Sequence, residues 1–223
     1  MSIAHNRLFL AATGAVVSLV LAVGPVVFIR HGLLHFTDHW QEVAFYVTFV
    51  IGGAAGGAMG FNLSTGVREI PRQRRLVWGT VICFLLYMSC TALCEKINFG
   101  TIDTGWWRTA GLVIFLAGVI LREWAIARLG RLHSGFVAIQ PEHKLVRNGL
   151  YRIIRHPSYL GALVTLVGMP MVFGTWFPLL AIPGAFVAVR WRIEDEESLL
   201  AEEFGGEFQE YKKGTWRMIP YLY

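Results

Sequence analysis

Arg192 and Glu196 stand four residues apart in RWRIEDEESLLAEEFGGEFQEY (190–211), a stretch that carries eight of the chain's fifteen acidic residues. On a helix, positions i and i+4 share a face. An arginine so placed grips a carboxylate or phosphate through two parallel N–H donors, and the glutamate beside it can receive an ammonium. A second polar stretch, EHKLVRNGLYRIIRHPSYLG (142–161), runs directly into an apolar block, and His156-Pro157 breaks the chain at the junction. Headgroup contact accounts for Arg147, Arg152 and Arg155 as anchors. It requires neither the His-Pro break nor an arginine heading an acidic turn. An Arg/Glu pair held beside lipid is expensive and reads as functional.

The elements that must position these residues are membrane helices. The chain has 223 residues, 55% hydrophobic and 16% charged, against about 25% charged in soluble domains. Leu8–Ile29, 22 residues without a charge, makes about 33 Å of helix. It exceeds the apolar core of a signal peptide and is followed by further spans, so it reads as a transmembrane segment. Val43–Phe61, Leu76–Cys94 and a block from Trp106 to near Ala127 are similar. Tyr159–Val189, only 31 residues, is too short for two perpendicular spans of about 20 residues each. It predicts a tight helical hairpin, 159–190, turning near Gly174–Pro178. The expected fold is all-α and polytopic, with about six membrane segments and a cytosolic pocket. Residues 1–128 supply about four spans, and 129–223 the hairpin and an acidic C-terminal helix.

Seventeen of the 20 Lys and Arg fall in alternate connections, at Arg7, 62–75, 122–158 and 190–223. By the positive-inside rule both termini and residues 122–158 face the cytosol. That asymmetry explains the net charge of +5 through membrane lipids, with no nucleic-acid partner. Three other patterns are weaker. Gly52, Gly56 and Gly60, and beside them Gly53 and Gly57, form small-xxx-small rows for close helix packing, within the chain or across a homodimer seam. Cys83, Cys90 and Cys94 share a face of the third span and read as small packing residues, with no metal implied. His31, His35 and His39 follow one another at i, i+4, i+8, which suits either an interfacial helix or a metal.

The combination of HKLV, GLY, RHPSY and R-x3-E over residues 129–213 resembles the isoprenylcysteine carboxyl methyltransferase family, integral membrane enzymes that use S-adenosylmethionine. The resemblance implies that His143, Lys144, Leu145, Val146, Tyr151, His156, Pro157, Ser158, Tyr159 and Glu196 line the cofactor pocket. It implies that Arg192 binds the substrate, Arg192 and Glu196 being the catalytic pair. His133, in LGRLHSG, stands where many relatives have an aromatic residue. A lipophilic or prenylated acceptor is expected to enter from the bilayer. An acceptor carboxylate is already nucleophilic and needs no base, whereas a phospholipid-type amine would ask Glu196 or Glu197 to take its proton. Two other readings stay open: a reductase binding a reduced nicotinamide in a helical cup, without a Rossmann fingerprint, and a non-enzymatic membrane scaffold.

Overall fold

The computed structural model describes residues 3–30, 39–58, 68–69, 71–133, 138–139 and 144–223. Seven α-helices are formed among them: α1 (Ile3–Arg30), α2 (Trp40–Ala58), α3 (Pro71–Lys96), α4 (Gly105–Leu129), α5 (Pro157–Val172), α6 (Ile182–Phe204) and α7 (Gly206–Lys213). The only sheet among the described residues pairs β1 (Arg68–Glu69) with β2 (Ala138–Ile139). Three helices are long and apolar enough to cross a membrane, over Phe9–Ile29, Leu76–Lys96 and Gly105–Leu129. α2 lies along α1, and α5 is a shorter apolar helix. The expected hairpin is present as α5 and α6, joined through Gly174 (φ +66°) and a 3-10 turn at Phe177–Ala181.

Glycine decides which helices touch. A Cβ on Gly118 or Gly168 would lie 2.5 or 2.4 Å from a backbone nitrogen of the facing helix, so α4 and α5 cross in backbone contact. Gly111 and Gly161 extend the same seam. The row Gly53/Gly57 packs on α1 at Gly14 and Leu10, so one of the two glycine rows in α2 serves packing within the chain. Gly52 only touches Val119, and Gly56 has open space beside it; Gly60 lies outside the described residues. An aromatic core, with Phe45 4.7 Å from Phe115 and 5.3 Å from Phe173 between ring centres, fills the space between α2, α4 and the end of α5.

The hairpin turn is tied by a buried charge cluster. Arg108 donates to Glu42 (3.1 Å), Glu95 (3.2 Å), Asp103 (2.8 Å) and the Val172 carbonyl (2.9 Å). The Asp103 carboxyl is held below its usual range by the hydrogen bond from Arg108. Arg108 also fills the space beside Gly174, where a Cβ would come within 2.8 Å of it. His39 lies 3.8 Å from Asp103; His31 and His35 lie outside the described residues, and no metal-ligand cluster is found among the described ones. Cys90 and Cys94 are in contact at 4.0 Å, and all three cysteines are free. Removing one member of a buried ion network leaves an uncompensated charge, at about 3–5 kcal/mol. Arg108→Ala should therefore lower thermal stability in detergent by about that amount, while Arg190→Ala, which removes only an exposed helix-surface pair, should leave the unfolding temperature unchanged.

Candidate active site

At the end of the hairpin away from that turn, Tyr159 of α5 inserts between Arg192 and Glu196 of α6. Arg192 Nε donates to the Tyr159 hydroxyl at 2.8 Å, and that hydroxyl donates to Glu196 Oε2 at 2.8 Å. The guanidinium also lies 5.8 Å from the Tyr159 ring centre, within cation–π range. The i, i+4 spacing puts Arg192 and Glu196 on one face, and the hairpin supplies the residue that joins them.

Pro157 sets the approach. It occupies the first turn of α5, where its missing N–H costs nothing, and it keeps His156 out of helical geometry, at φ −124° and ψ 57°. His156 is buried, with Nδ1 3.8 Å from Glu196 and Nε2 3.4 Å from Glu197. Glu197 is the centre of a second ion cluster. Arg155 Nε reaches it at 2.9 Å, Arg217 at 3.0 Å, and Lys212 at 3.8 Å. Burial alone would push the Glu197 carboxyl up; hydrogen bonds from His156, Arg217 and Arg155 outweigh it and hold the group well below the usual carboxylate range. The cluster straps the C-terminal segment under the His-Pro break. Arg155 N–H donates to the Trp216 carbonyl (2.8 Å), His156 N–H to the Arg217 carbonyl (2.9 Å) and the Arg155 side chain to Thr215.

A cavity of about 870 Å³ opens above this framework, within the range of small-molecule sites. Lys144, Leu145, Val146, Tyr151, His156, Ser158, Tyr159, Arg192 and Glu196 all line it. Pro157 does not; it is buried behind them. His143 lies outside the described residues. Tyr151 offers the cavity its ring, since its hydroxyl donates to the Ala125 carbonyl (3.2 Å). Burial pushes the Tyr211 phenol up to about 12, and that hydroxyl donates to the Tyr151 carbonyl (2.6 Å).

Several lining residues escaped the sequence reading. Arg122, on α4, enters the cavity wall because Gly161 lets α5 come within backbone contact of it. The charged pair Arg122-Glu123 inside an otherwise apolar block was the signal for it. His133, singled out in the sequence for replacing an aromatic residue, lines the cavity too; burial, then the positive charge of Arg122, pushes its pKa down to about 4, so the ring is neutral at pH 7. Arg155, read as a lipid anchor, is tied to Glu197 instead. The whole α3 wall, from Leu76 to Tyr87, had no marker beyond its apolarity.

The isoprenylcysteine carboxyl methyltransferase (ICMT) family model matches residues 111–202. Protein-S-isoprenylcysteine O-methyltransferase B of Arabidopsis thaliana is 30% identical over 206 residues, covering 88% of this chain and 98% of that protein. The chain belongs to this family. The A form from the same plant is 35% identical over 138 residues, covering 58% of this chain and 68% of the relative. A solved eukaryotic intramembrane Ras methyltransferase, ICMT, shares the fold with a TM-score of 0.58 at 19% identity, over 95% of this chain and 75% of that one. The family comprises multi-pass integral membrane methyltransferases whose methyl donor is S-adenosylmethionine. Within this family member the described polar residues suit that donor: Glu196 for an ammonium, Lys144 at the mouth for a carboxylate, and aromatic rings for the base and sulfonium.

Two groups at the site contribute to acid stability. Between pH about 6.5 and 4 the unfolded chain protonates His133 while the folded chain does not, so stability falls as pH drops. Below about pH 4.5 the unfolded chain also protonates Glu197 first, and that contribution is lost in turn as pH falls. Thermal unfolding from pH 7 to 2.5 should show both limbs in the wild type. His133→Asn should lose the upper limb, and Glu197→Gln should be destabilised already at pH 7, by about 3 kcal/mol.

Proposed function

We propose that this chain transfers a methyl group from S-adenosylmethionine to the α-carboxylate of an isoprenylated cysteine, at the cytosolic face of a membrane. The observation that carries the reading is the division of one cavity. Its polar end holds the Arg192–Tyr159–Glu196 chain, and its other wing, between α3 and the hairpin, is lined by apolar residues such as Val77, Phe84 and Ala185. Such a cavity suits a ligand with a charged head and a long apolar tail beside a polar, water-soluble donor. Residues 1–128 would then form the membrane frame and 129–223 the catalytic region, with both termini cytosolic as the distribution of Lys and Arg supports.

When bound, S-adenosylmethionine supplies the electrophilic methyl group. Glu196 holds its ammonium, and the Tyr159 hydroxyl fixes that carboxylate. Lys144 and the backbone of 144–146 serve the methionyl carboxylate, and the rings of Tyr151 and Tyr159 favour a sulfonium. Arg192 orients the acceptor carboxylate and offsets its desolvation, with its second face steadied on Tyr159. Arg122 adds a second positive charge to the same wall, so an acceptor reaching the cavity as an anion meets two cations. The acceptor arrives deprotonated at neutral pH, and no side chain has to remove a proton. Alignment of the two reactants and exclusion of water supply the acceleration.

Calorimetric titration of S-adenosylmethionine into detergent-purified protein tests the donor site. Wild type should bind, and Glu196→Ala and Tyr159→Phe should each weaken binding about tenfold or more, from loss of a charge-assisted hydrogen bond. Folded wild-type protein that binds no S-adenosylmethionine would sink the proposal. Turnover of an isoprenylcysteine should be flat from pH 6.5 to 8.5; a steep rise with pH would point to an amine acceptor instead. Sealed vesicles with the cytosolic face outward should use externally added donor, and right-side-out vesicles should not.

A further inference from the structure

Residues 216–223 run from the mouth of the hairpin down its outer side. Trp216 N–H donates to the Ile153 carbonyl at 2.9 Å, just before the His-Pro break. Met218 is fully buried in one cluster with Leu163 of α5 and Ile193 of α6, and the Tyr223 ring lies 5.6 Å from that of Phe186. Leu163 is four residues beyond Tyr159 on α5, and Phe186 is six residues before Arg192 on α6. At 1.5 Å per residue the segment therefore descends to about 6 Å, then about 9 Å, beneath the Arg192–Tyr159 contact. It has left the charged half of α6 and stands beside the apolar half.

What this segment turns outward is apolar. Residues 219–223 close on themselves, with Leu222 N–H and Tyr223 N–H both donating to the Ile219 carbonyl, at 3.1 and 2.9 Å. The closure holds Tyr221 at φ +65°, an uncommon conformation for a bulky residue, and leaves Tyr221 and Leu222 89% and 77% exposed. Ile153, Trp216 and Ile219 are exposed beside them, with the Trp216 ring 5.5 Å from that of Tyr221. A contiguous apolar cluster on a surface marks an interaction site. On α6, Leu180, Val187 and Trp191 are exposed as well, so the cluster continues the surface that the hairpin gives to lipid. Tyrosine and tryptophan with aliphatic neighbours suit the boundary between headgroups and acyl chains.

The knob is also tied to the site. Arg217 donates to Glu197 at 3.0 Å and to the Tyr223 hydroxyl at 2.9 Å. The Trp216 and Arg217 carbonyls accept from the Arg155 and His156 N–H groups. Any shift of the knob is therefore passed to the His-Pro break and to the α6 turn that carries Glu196.

We propose that residues 219–222 form a wedge seated in phospholipid, in the leaflet at the polar end of the cavity, and that this contact holds the strap beneath His156 and Glu197. Lipid is the partner because the wedge lies deeper than Arg192, level with the apolar half of α6. The lipid contact stands by itself; its effect on the donor rests on the placement of the donor at Glu196 given above.

The test uses the full chain in nanodiscs of mixed phosphatidylcholine and phosphatidylglycerol. A benzophenone amino acid replacing Leu222 should give a lipid adduct on irradiation, read by mass spectrometry. The same group replacing Val113, exposed on the α4 span, should do so too, and replacing Glu210, exposed on α7, it should not. In Tyr221→Ser/Leu222→Ser, amide exchange over residues 153–157 should quicken about tenfold as the strap opens locally. The affinity for S-adenosylmethionine should fall about fivefold, the lower end of coupling between linked sites. Tyr221→Trp/Leu222→Ile keeps an apolar wedge and should behave as wild type. Leu222→Ser alone should move both readouts in the same direction, and serves if the double variant fails to fold. A lipid adduct at position 113 with none at 222 would overturn the lipid contact. Unchanged exchange or unchanged donor affinity in the serine variants would overturn the hold on the strap. Exchange that quickens in protein whose wild type binds no S-adenosylmethionine would leave the wedge standing and overturn the donor placement instead.

Discussion

Helices α4 and α5 cross in backbone contact, and the site depends on that closeness. In lipid there is little hydrophobic gain from pressing two apolar helices together, so association rests on van der Waals fit and on small residues that allow it. Gly111 and Gly118 on one helix, with Gly161 and Gly168 on the other, remove the side chains that would keep the axes apart. The consequence reaches the polar end. Only at this separation does Arg122 stand in the same wall as Tyr159 and Arg192, and only then does the hairpin lean on the transmembrane frame.

Two ion clusters hold the hairpin, one at each end. At the turn, Arg108 gathers Glu42, Glu95 and Asp103; at the base, Glu197 gathers Arg155, Arg217, His156 and Lys212. The two are mirror images in charge, a single cation among anions and a single anion among cations. Each central group is nearly inaccessible, where a lone charge would be intolerable and a fully bonded one is directional. Such clusters add little net stability compared with apolar packing, but they admit one geometry. That suits a hairpin too short to span the bilayer twice, whose apolar surface alone would leave its position loosely set.

Between the clusters lies a cavity with two characters. Its polar end is built from the His-Pro break and the middle turns of α6 around Arg192 and Glu196, and its apolar wing from α3 and the hairpin shafts. The separation follows from depth: charged side chains gather where water is near, and the walls become aliphatic towards the membrane interior. Pro170 has no N–H for the Leu166 carbonyl four residues earlier in α5, and the Tyr87 hydroxyl of α3 donates to that carbonyl instead, at 2.8 Å.

What was legible in the sequence was local or periodic. Apolar block lengths marked the helices, and the short block broken by glycine and prolines marked a hairpin. The spacing of Arg192 and Glu196 and the His-Pro junction pointed to the polar end of the cavity, because helix periodicity and proline stereochemistry act within a few residues. The tertiary structure decided the rest. Arg122 and Tyr159, 37 positions apart, meet only through the glycine seam. Arg155 became a strut, not a lipid anchor, because residues 215–217 return beneath it. Arg108 looked like one loop cation among others until Glu42 and Gly174 closed around it. The α3 wall carries no local signature at all. Contacts between distant segments depend on how closely helices approach and which carbonyls are left without donors, and those are properties of the packed chain.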